Sequence, residues 1–258
     1  MNGKHPPTGT EAAERVADVL LAFSRSSDSL GVSVIARELS LSKAVIHRIL
    51  QSLVSRGLVS FDARRRTYSL GPSATALGAR ALRQLDLRVV AQNDLAQLRD
   101  ATEETTTLSL LVIDMRTYID QYESRKEIKM KVELGRLYPL HAGASSRVIL
   151  AFLPEVEIER VLSNDLAPLT ANTISEVADL RQRLEQIRFD GYAISTGERQ
   201  SGAGSVAAAV FGTDEQVIGS ISLCGPADRF NSDAIARYVP LVVAAAARIS
   251  SQLRTPLL

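Results

Sequence analysis

The chain holds one cysteine, Cys224, in 258 residues, which excludes an intramolecular disulfide and any zinc site built from several thiolates. Its three histidines, His5, His47 and His141, are too scattered to form a ligand cluster, so neither a structural metal nor a cofactor is expected. No glycine-rich dinucleotide loop opens a helix after a strand, and no phosphate-binding G-x-x-x-x-G-K-[S/T] occurs. A G-x-S-x-G elbow is missing as well. His141 lies near Ser145 and Ser146, but nothing singles out an acid to orient it, so it reads as a structural partner for backbone groups. No apolar run looks long enough to span a bilayer, and there is no internal repeat or low-complexity segment. Residues 1–10 are polar and Pro-containing with no apolar signal core, which suggests a disordered tail and a cytoplasmic protein without membrane partners.

The net charge of +1 conceals an asymmetry. Residues 1–80 carry 11 Lys and Arg against 6 Asp and Glu, whereas residues 81–258 carry 19 against 23. Excess positive charge toward one end suits a polyanionic partner there.

Within that basic segment, Val32 to Leu70 carries an ordered pattern. Ser33 is the expected N-cap of a short helix with Val34, Ile35, Ala36 and Leu39. Ser40 and Leu41 make a turn, and Ser42 caps a second helix whose Val45, Ile46, Ile49, Leu50 and Leu53 recur at three-and-four spacing. Lys43, Ala44, His47, Arg48 and Gln51 are left on the opposite face, with donors for phosphates and base edges on a cylinder that fits the major groove. Gly57 suits the left-handed residue that ends the helix. Leu58 to Phe61 and Thr67 to Leu70 read as two strands joined through Asp62-Ala63-Arg64-Arg65-Arg66. Adjacent arginines at a hairpin tip repel one another unless something anionic lies beside them, and a phosphate backbone is the natural candidate. A basic helix face taken alone is usually just a solvated face; helix, turn, helix, Gly stop and Arg-tipped ribbon in register point to a winged helix-turn-helix that reads double-stranded DNA.

Upstream, Glu11 to Phe23 forms a supporting helix with Ala12, Val16, Val19, Leu20 and Phe23 on one face. Downstream, Gly71-Pro72 breaks the strand, and Ser73 to Arg99 reads as one long connecting helix, bent near Gly78. Its apolar positions exceed what one small head could cover, so part of it is expected to pack on a second subunit. The expected boundaries are 11–73 for the DNA-binding domain, 74–100 for the linker helix and 101–258 for a second domain.

That domain alternates strands and helices. Strands are expected at Thr105 to Ile113 and Thr117 to Tyr122, turning at Asp114-Met115-Arg116, and at Tyr192 to Thr196, Ser205 to Val210 and Val217 to Leu223. Helices are expected at Ser145 to Phe152, Glu155 to Leu162, Ile174 to Ile187 and Ser232 to Leu253. Antiparallel neighbours mixed with helices indicate an α+β sheet rather than a doubly wound one. In the loop Gly135 to Arg147, Pro139 stops regular structure, and small residues and hydroxyls lead into a helix N-terminus. Such a start can hold a carboxylate; a loop packed on its own sheet would look the same. Gly197 to Ser205 likewise allows close backbone approach, and Cys224, at the end of an apolar strand, suits a small buried hydrophobe that could line a pocket.

These residues resemble the IclR family of bacterial transcriptional regulators. The resemblance rests on Ser42-Lys43 and His47-Arg48, Tyr68-Ser69-Leu70-Gly71, and Gly135 through Pro139, His141, Ala142 and Ala144 to Leu150-Ala151. Ile187-Arg188 with Gly191-Tyr192-Ala193, the Glu198 to Gly202 spacing, and Ser222 with Gly225-Pro226 and Arg229 complete it, from about Ala12 to Arg254. It implies a winged head, a linker helix and an effector domain like a GAF or profilin sheet, assembled as a dimer or a dimer of dimers. It also implies a regulator, more often a repressor, of a catabolic operon that responds to a small organic acid or aromatic compound. DNA contacts would come from Ser33, Ser42, Lys43, Ala44, His47, Arg48, Gln51, Arg64, Arg65 and Arg66. By motif position the effector would touch Ala144, Ser145, Ser146, Ser195, Ala203, Ser205, Ser222 and Cys224, with Ile128 and Met130 as apolar wall.

Some positions depart from the family pattern. Ala44-Val45 stands where Ser-Thr is common, Ser146-Arg147 where Gly-Lys is usual, Ser195 where Asp is frequent and Ser205 where Cys is. Loss of a carboxylate makes the pocket less negative, which favours a carboxylate or phenolic ligand. Competing readings are a ligand-binding module acting through protein contacts and a small-molecule enzyme with an accessory DNA-binding head. The basic face argues against the first, and the missing acid-base constellation against the second.

Overall fold

The computed structural model describes residues 9–26, 29–83 and 86–254. They divide into two units, at Leu85/Asp86. Residues 1–8 of the expected tail lie outside the described set, whereas Thr10 is the N-cap of α1 (Glu11–Arg25), its side chain accepting from the Ala13 amide.

In the first unit, α1 packs with α2 (Val32–Glu38), α3 (Lys43–Ser55) and the ribbon β1 (Val59–Asp62) and β2 (Thr67–Leu70) around Val19, Phe23, Ile35, Ile46, Leu50 and Tyr68. One cap differs from expectation. Helix α2 begins at Val32 after Gly31, and Ser33 falls inside its first turn with no capping role. The reason is tertiary: Leu30 and Tyr68 exchange both backbone hydrogen bonds at 2.8 Å, so the extended segment ends one residue before Gly31 and the helix starts early. Ser42 does cap α3, accepting from Val45 N at 3.3 Å. The helix stops at Gly57, φ +66°, where Leu58 N bonds Leu53 O and Gly57 N bonds Val54 O.

Helix α4 (Pro72–Arg83) starts at its proline, where the missing N–H costs nothing, and runs through Gly78 unbroken. The expected single linker helix is described as α4 and α5 (Asp86–Thr102); Gln84 and Leu85 between them lie outside the described residues. Gly71 seats the start of α4 against the α3 corner: a Cβ there would meet Gly57 O at 2.3 Å. Gly71→Ala should therefore destabilise the first unit by about 1–3 kcal/mol or more, through forced backbone movement. A thermal unfolding midpoint unchanged from wild type would refute that close approach.

The second unit is a six-stranded, all-antiparallel sheet of order β5-β4-β3-β8-β7-β6. Its strands are β3 (Thr105–Val112), β4 (Met115–Tyr122), β5 (Leu137–Pro139), β6 (Ala193–Thr196), β7 (Ala203–Phe211) and β8 (Val217–Pro226). Helix α5 packs with α9 (Ser232–Arg254) against β3, β7 and β8. Helix α6 (Ala144–Ala151) packs on β6, β7 and β8, joined by α7 (Glu155–Leu162) and α8 (Val177–Asp190) in one apolar cluster. On α5 the buried stripe is Leu87, Ala91, Leu95 and Leu98, whereas Val89 is 61% exposed.

Several expected boundaries move. The β3–β4 turn is the pair Ile113-Asp114, with Val112 opposite Met115 and Ile113 at φ +56°, not Asp114-Met115-Arg116. That two-residue hairpin draws Arg116 into β4. Regular structure does stop at Pro139, but a short edge strand, β5, precedes it and ends at the proline, where no ladder donor is needed. Helix α8 starts after Glu176 rather than at Ile174 and ends at left-handed Gly191. Finally, α9 is 23 residues long, and by length and composition is apolar enough to cross a membrane, contrary to the expectation from runs alone. Its Ala, Val and Ile face is buried against the sheet and α5, the position of a core helix.

Candidate functional site

Each unit presents one surface with chemistry. In the first, period 3.6 separates the faces of α3: Ile46, Leu50 and Leu53 are buried, and Lys43, Ala44, His47, Arg48 and Gln51 are exposed. Ser42 and Ser33 are also exposed. Beyond the ribbon, Asp62 Oδ1 accepts from the backbone amides of Arg64 at 2.8 Å and Arg65 at 3.1 Å. Arg66 takes φ +55°, and the side chains of all three arginines point into solvent.

In the second unit, a cleft opens between the sheet, the start of α6 and the segment after β6. It encloses about 420 Å³ including its open mouth. Strand alternation builds the floor: Ser195 pairs Ser205, Ser205 pairs Cys224, and Cys224 pairs Thr105, one continuous row across four strands. The next row places Ser222 opposite Thr107, their hydroxyls 2.7 Å apart, with Ser145 of α6 at 3.0 Å from Ser222. Ala144, Ala203 and Met130 complete this part of the lining. Eight of the ten expected effector residues thus come together. The other two do not: Ile128 is 72% exposed, and Ser146 is turned behind the cleft to accept from Arg116 Nε at 2.7 Å.

Four charged or aromatic residues of the lining were not expected: Arg116, Tyr118, Glu198 and Arg199. Arg116 was placed in a turn; once the hairpin is Ile113-Asp114, it and Tyr118 share a face of β4. Glu198 and Arg199 sit in a stretch noted for its glycines and for the Glu198 to Gly202 spacing, with no ligand role expected of either. Glu198 pairs with Arg147 at 2.7 Å, and its other oxygen accepts from Gly143 N at 3.4 Å. Burial raises the Glu198 carboxyl above the usual range while Arg147 opposes the rise, and burial lowers Arg147.

His141 Nε2 lies 3.1 Å from Ala167 O, and burial pushes its pKa down. Both facts fit a structural role. Burial pushes the Cys224 thiol up to about 12. Cys224 should then resist iodoacetamide at pH 8 in the native protein and react on unfolding; stoichiometric native labelling would contradict so protected a thiol.

Comparison with known proteins joins the two surfaces in one family. The chain matches the IclR helix-turn-helix domain over residues 12–63 and the bacterial transcriptional regulator IclR C-terminal domain over residues 79–251. The chain belongs to the IclR family of bacterial transcriptional regulators. It is 30% identical over 248 residues to the HTH-type transcriptional regulator KdgR of Dickeya chrysanthemi, covering 96% of this chain and 81% of that protein. The IclR transcriptional regulator of Alicyclobacillus acidocaldarius has the same fold, with a TM-score of 0.79 and 29% identity over 94% of this chain and 98% of that one. An IclR homologue of Microbacterium hydrocarbonoxydans, solved with 4-hydroxybenzoate, matches in fold with a TM-score of 0.71 and 24% identity over 95% and 99% of the two chains. This IclR-family chain is accordingly a DNA-binding transcriptional regulator rather than an enzyme, with a helix-turn-helix domain and an effector-binding domain.

Proposed function

We propose that this regulator represses a catabolic operon as a dimer, or a dimer of dimers, and is controlled by a small organic acid or aromatic compound bound in the cleft of the second unit. The observation that carries the effector part is the convergence of seven residues from the sheet and α6, with Met130 from the segment between β4 and β5, on one cleft with hydroxyls and guanidinium groups. DNA would be read by Lys43, Ala44, His47, Arg48 and Gln51, with Ser33, Ser42 and the arginine tip positioning the backbone. Ala44 offers only a methyl to a base edge. Dimerisation is supported by apolar surface left uncovered on the helices beside the unit boundary, with Leu77 64% and Val89 61% exposed. Such a regulator works in the cytoplasm, where the operator is.

Control follows from linkage. A ligand that binds one arrangement of the dimer better must change operator affinity by the same factor that DNA changes ligand affinity. Gel-shift titrations on the upstream region of the protein's own operon, with and without a panel of short-chain and aromatic acids, test this. Affinity that stays flat with acids shown by calorimetry to bind would defeat ligand control.

A further inference from the structure

The cleft contains a buried positive charge without a counterion. Arg116 is 1% exposed. Its hydrogen bonds run to neutral oxygens only: Ser146 Oγ at 2.7 Å, Ser109 Oγ at 3.2 Å and Tyr118 Oη at 3.0 Å. Among the described residues it enters no ion pair. A guanidinium has more N–H donors than these bonds use, and it does not give up its proton to escape burial. Isolated buried charge costs several kcal/mol, so buried cations are normally paired with an anion.

A second cation faces the same walls. The Arg199 guanidinium carbon lies 5.0 Å from the Tyr138 ring and 5.8 Å from the Tyr118 ring; that of Arg116 lies 5.1 Å and 4.2 Å from the same rings. Arg199 and Arg116 repel, which adds to the burial that already disfavours charge on Arg116. Glu198 cannot neutralise them, because Arg147 and the Gly143 amide hold its two oxygens. Beside these cations stand hydroxyls without work: Ser195 and Ser205, cross-strand partners in the floor, form no side-chain hydrogen bond among the described residues.

We propose that the cleft is a receptor for a short carboxylic acid bearing a hydroxyl or oxo oxygen. Arg116 and Arg199 receive the carboxylate, and Ser195 and Ser205 receive the second oxygen. The inference rests on the effector reading of this cleft and narrows it: two cations call for an anion, and the hydroxyl floor favours a small oxygen-rich acid over an aromatic one.

The test uses the full chain and isothermal titration calorimetry with lactate, glyoxylate and gluconate, the neutral lactamide, the unsubstituted propionate, and 4-hydroxybenzoate. At least one hydroxy or oxo acid should bind at least tenfold more tightly than lactamide and than 4-hydroxybenzoate. Arg199→Gln, on a half-buried side chain, should weaken that acid at least tenfold with an unchanged circular dichroism spectrum; Arg116→Gln should do the same where it folds. Ser195→Ala with Ser205→Ala should bring the affinity for the hydroxy or oxo acid down to that for propionate. The proposal is overturned if lactamide binds as well as lactate, if 4-hydroxybenzoate is the tightest ligand, or if folded Arg199→Gln binds acids within twofold of wild type. Acids that bind through Arg199 yet leave operator affinity unchanged would sink ligand control while leaving this receptor intact.

Discussion

Replacing Arg64, Arg65 and Arg66 together with alanine should weaken operator binding on the order of 10- to 100-fold near physiological salt, and by a similar factor on unrelated sequences. The three side chains stand in solvent at the tip of the ribbon, and Asp62, the nearest carboxylate in sequence, is occupied by the amides of Arg64 and Arg65. Their charges are therefore available to phosphates, which carry affinity but no sequence information. Because each phosphate contact releases condensed counterions, loss of three should flatten the slope of log affinity against log salt by about 2.7 for each DNA-bound subunit. Fluorescence anisotropy at several salt concentrations reads both quantities. A loss confined to the operator, with an unchanged salt slope, would instead make the tip a base-reading element. The exposed face of α3 should behave oppositely, with Arg48→Ala or Gln51→Ala costing specific binding more than nonspecific binding.

Glu198→Ala should destabilise the second unit by roughly 3–5 kcal/mol, the usual result of stranding one partner of a buried pair. Arg147 is fully buried, and its Nε and Nη1 already lack hydrogen-bond partners, so its charge depends on Glu198. The same carboxylate accepts from Gly143 N at the start of α6, so its removal also loosens the helix end that lines the cleft. Urea denaturation of the full chain measures the loss. Arg147→Met combined with Glu198→Leu should recover most of it, because no charge is then left buried. A single-variant loss below about 1 kcal/mol would mean that water reaches Arg147 and that the pair behaves like a surface one.

The reading head was largely legible because its signals are local. The spacing of Ile46, Leu50 and Leu53 orients α3, Ser42 and Gly57 delimit it, and the arginines stand in an unbroken run between two short strands. Where a boundary depended on a distant partner, local rules failed. Leu30 pairing with Tyr68, across 38 positions of sequence, set the start of α2 and displaced Ser33 from its cap.

The cleft was legible only in part, for the same reason. Its small residues and serines stand out in sequence as glycine-rich or hydroxyl-rich stretches, and seven of them converge together with Met130. Its charges do not stand out. Arg116 reads as an ordinary turn residue until a two-residue hairpin moves it into β4, and an exposed arginine and a buried one are the same letter. Which carboxylate neutralises which guanidinium is likewise a matter of three-dimensional packing: Glu198 adjoins Arg199 in the chain but pairs with Arg147, leaving Arg116 without a counterion. Periodicity and capping, which act within a few residues, thus determined that this chain folds as a DNA-reading head followed by an α+β domain. The electrostatics of the cleft arise from long-range strand register and burial, and only the folded structure decided them.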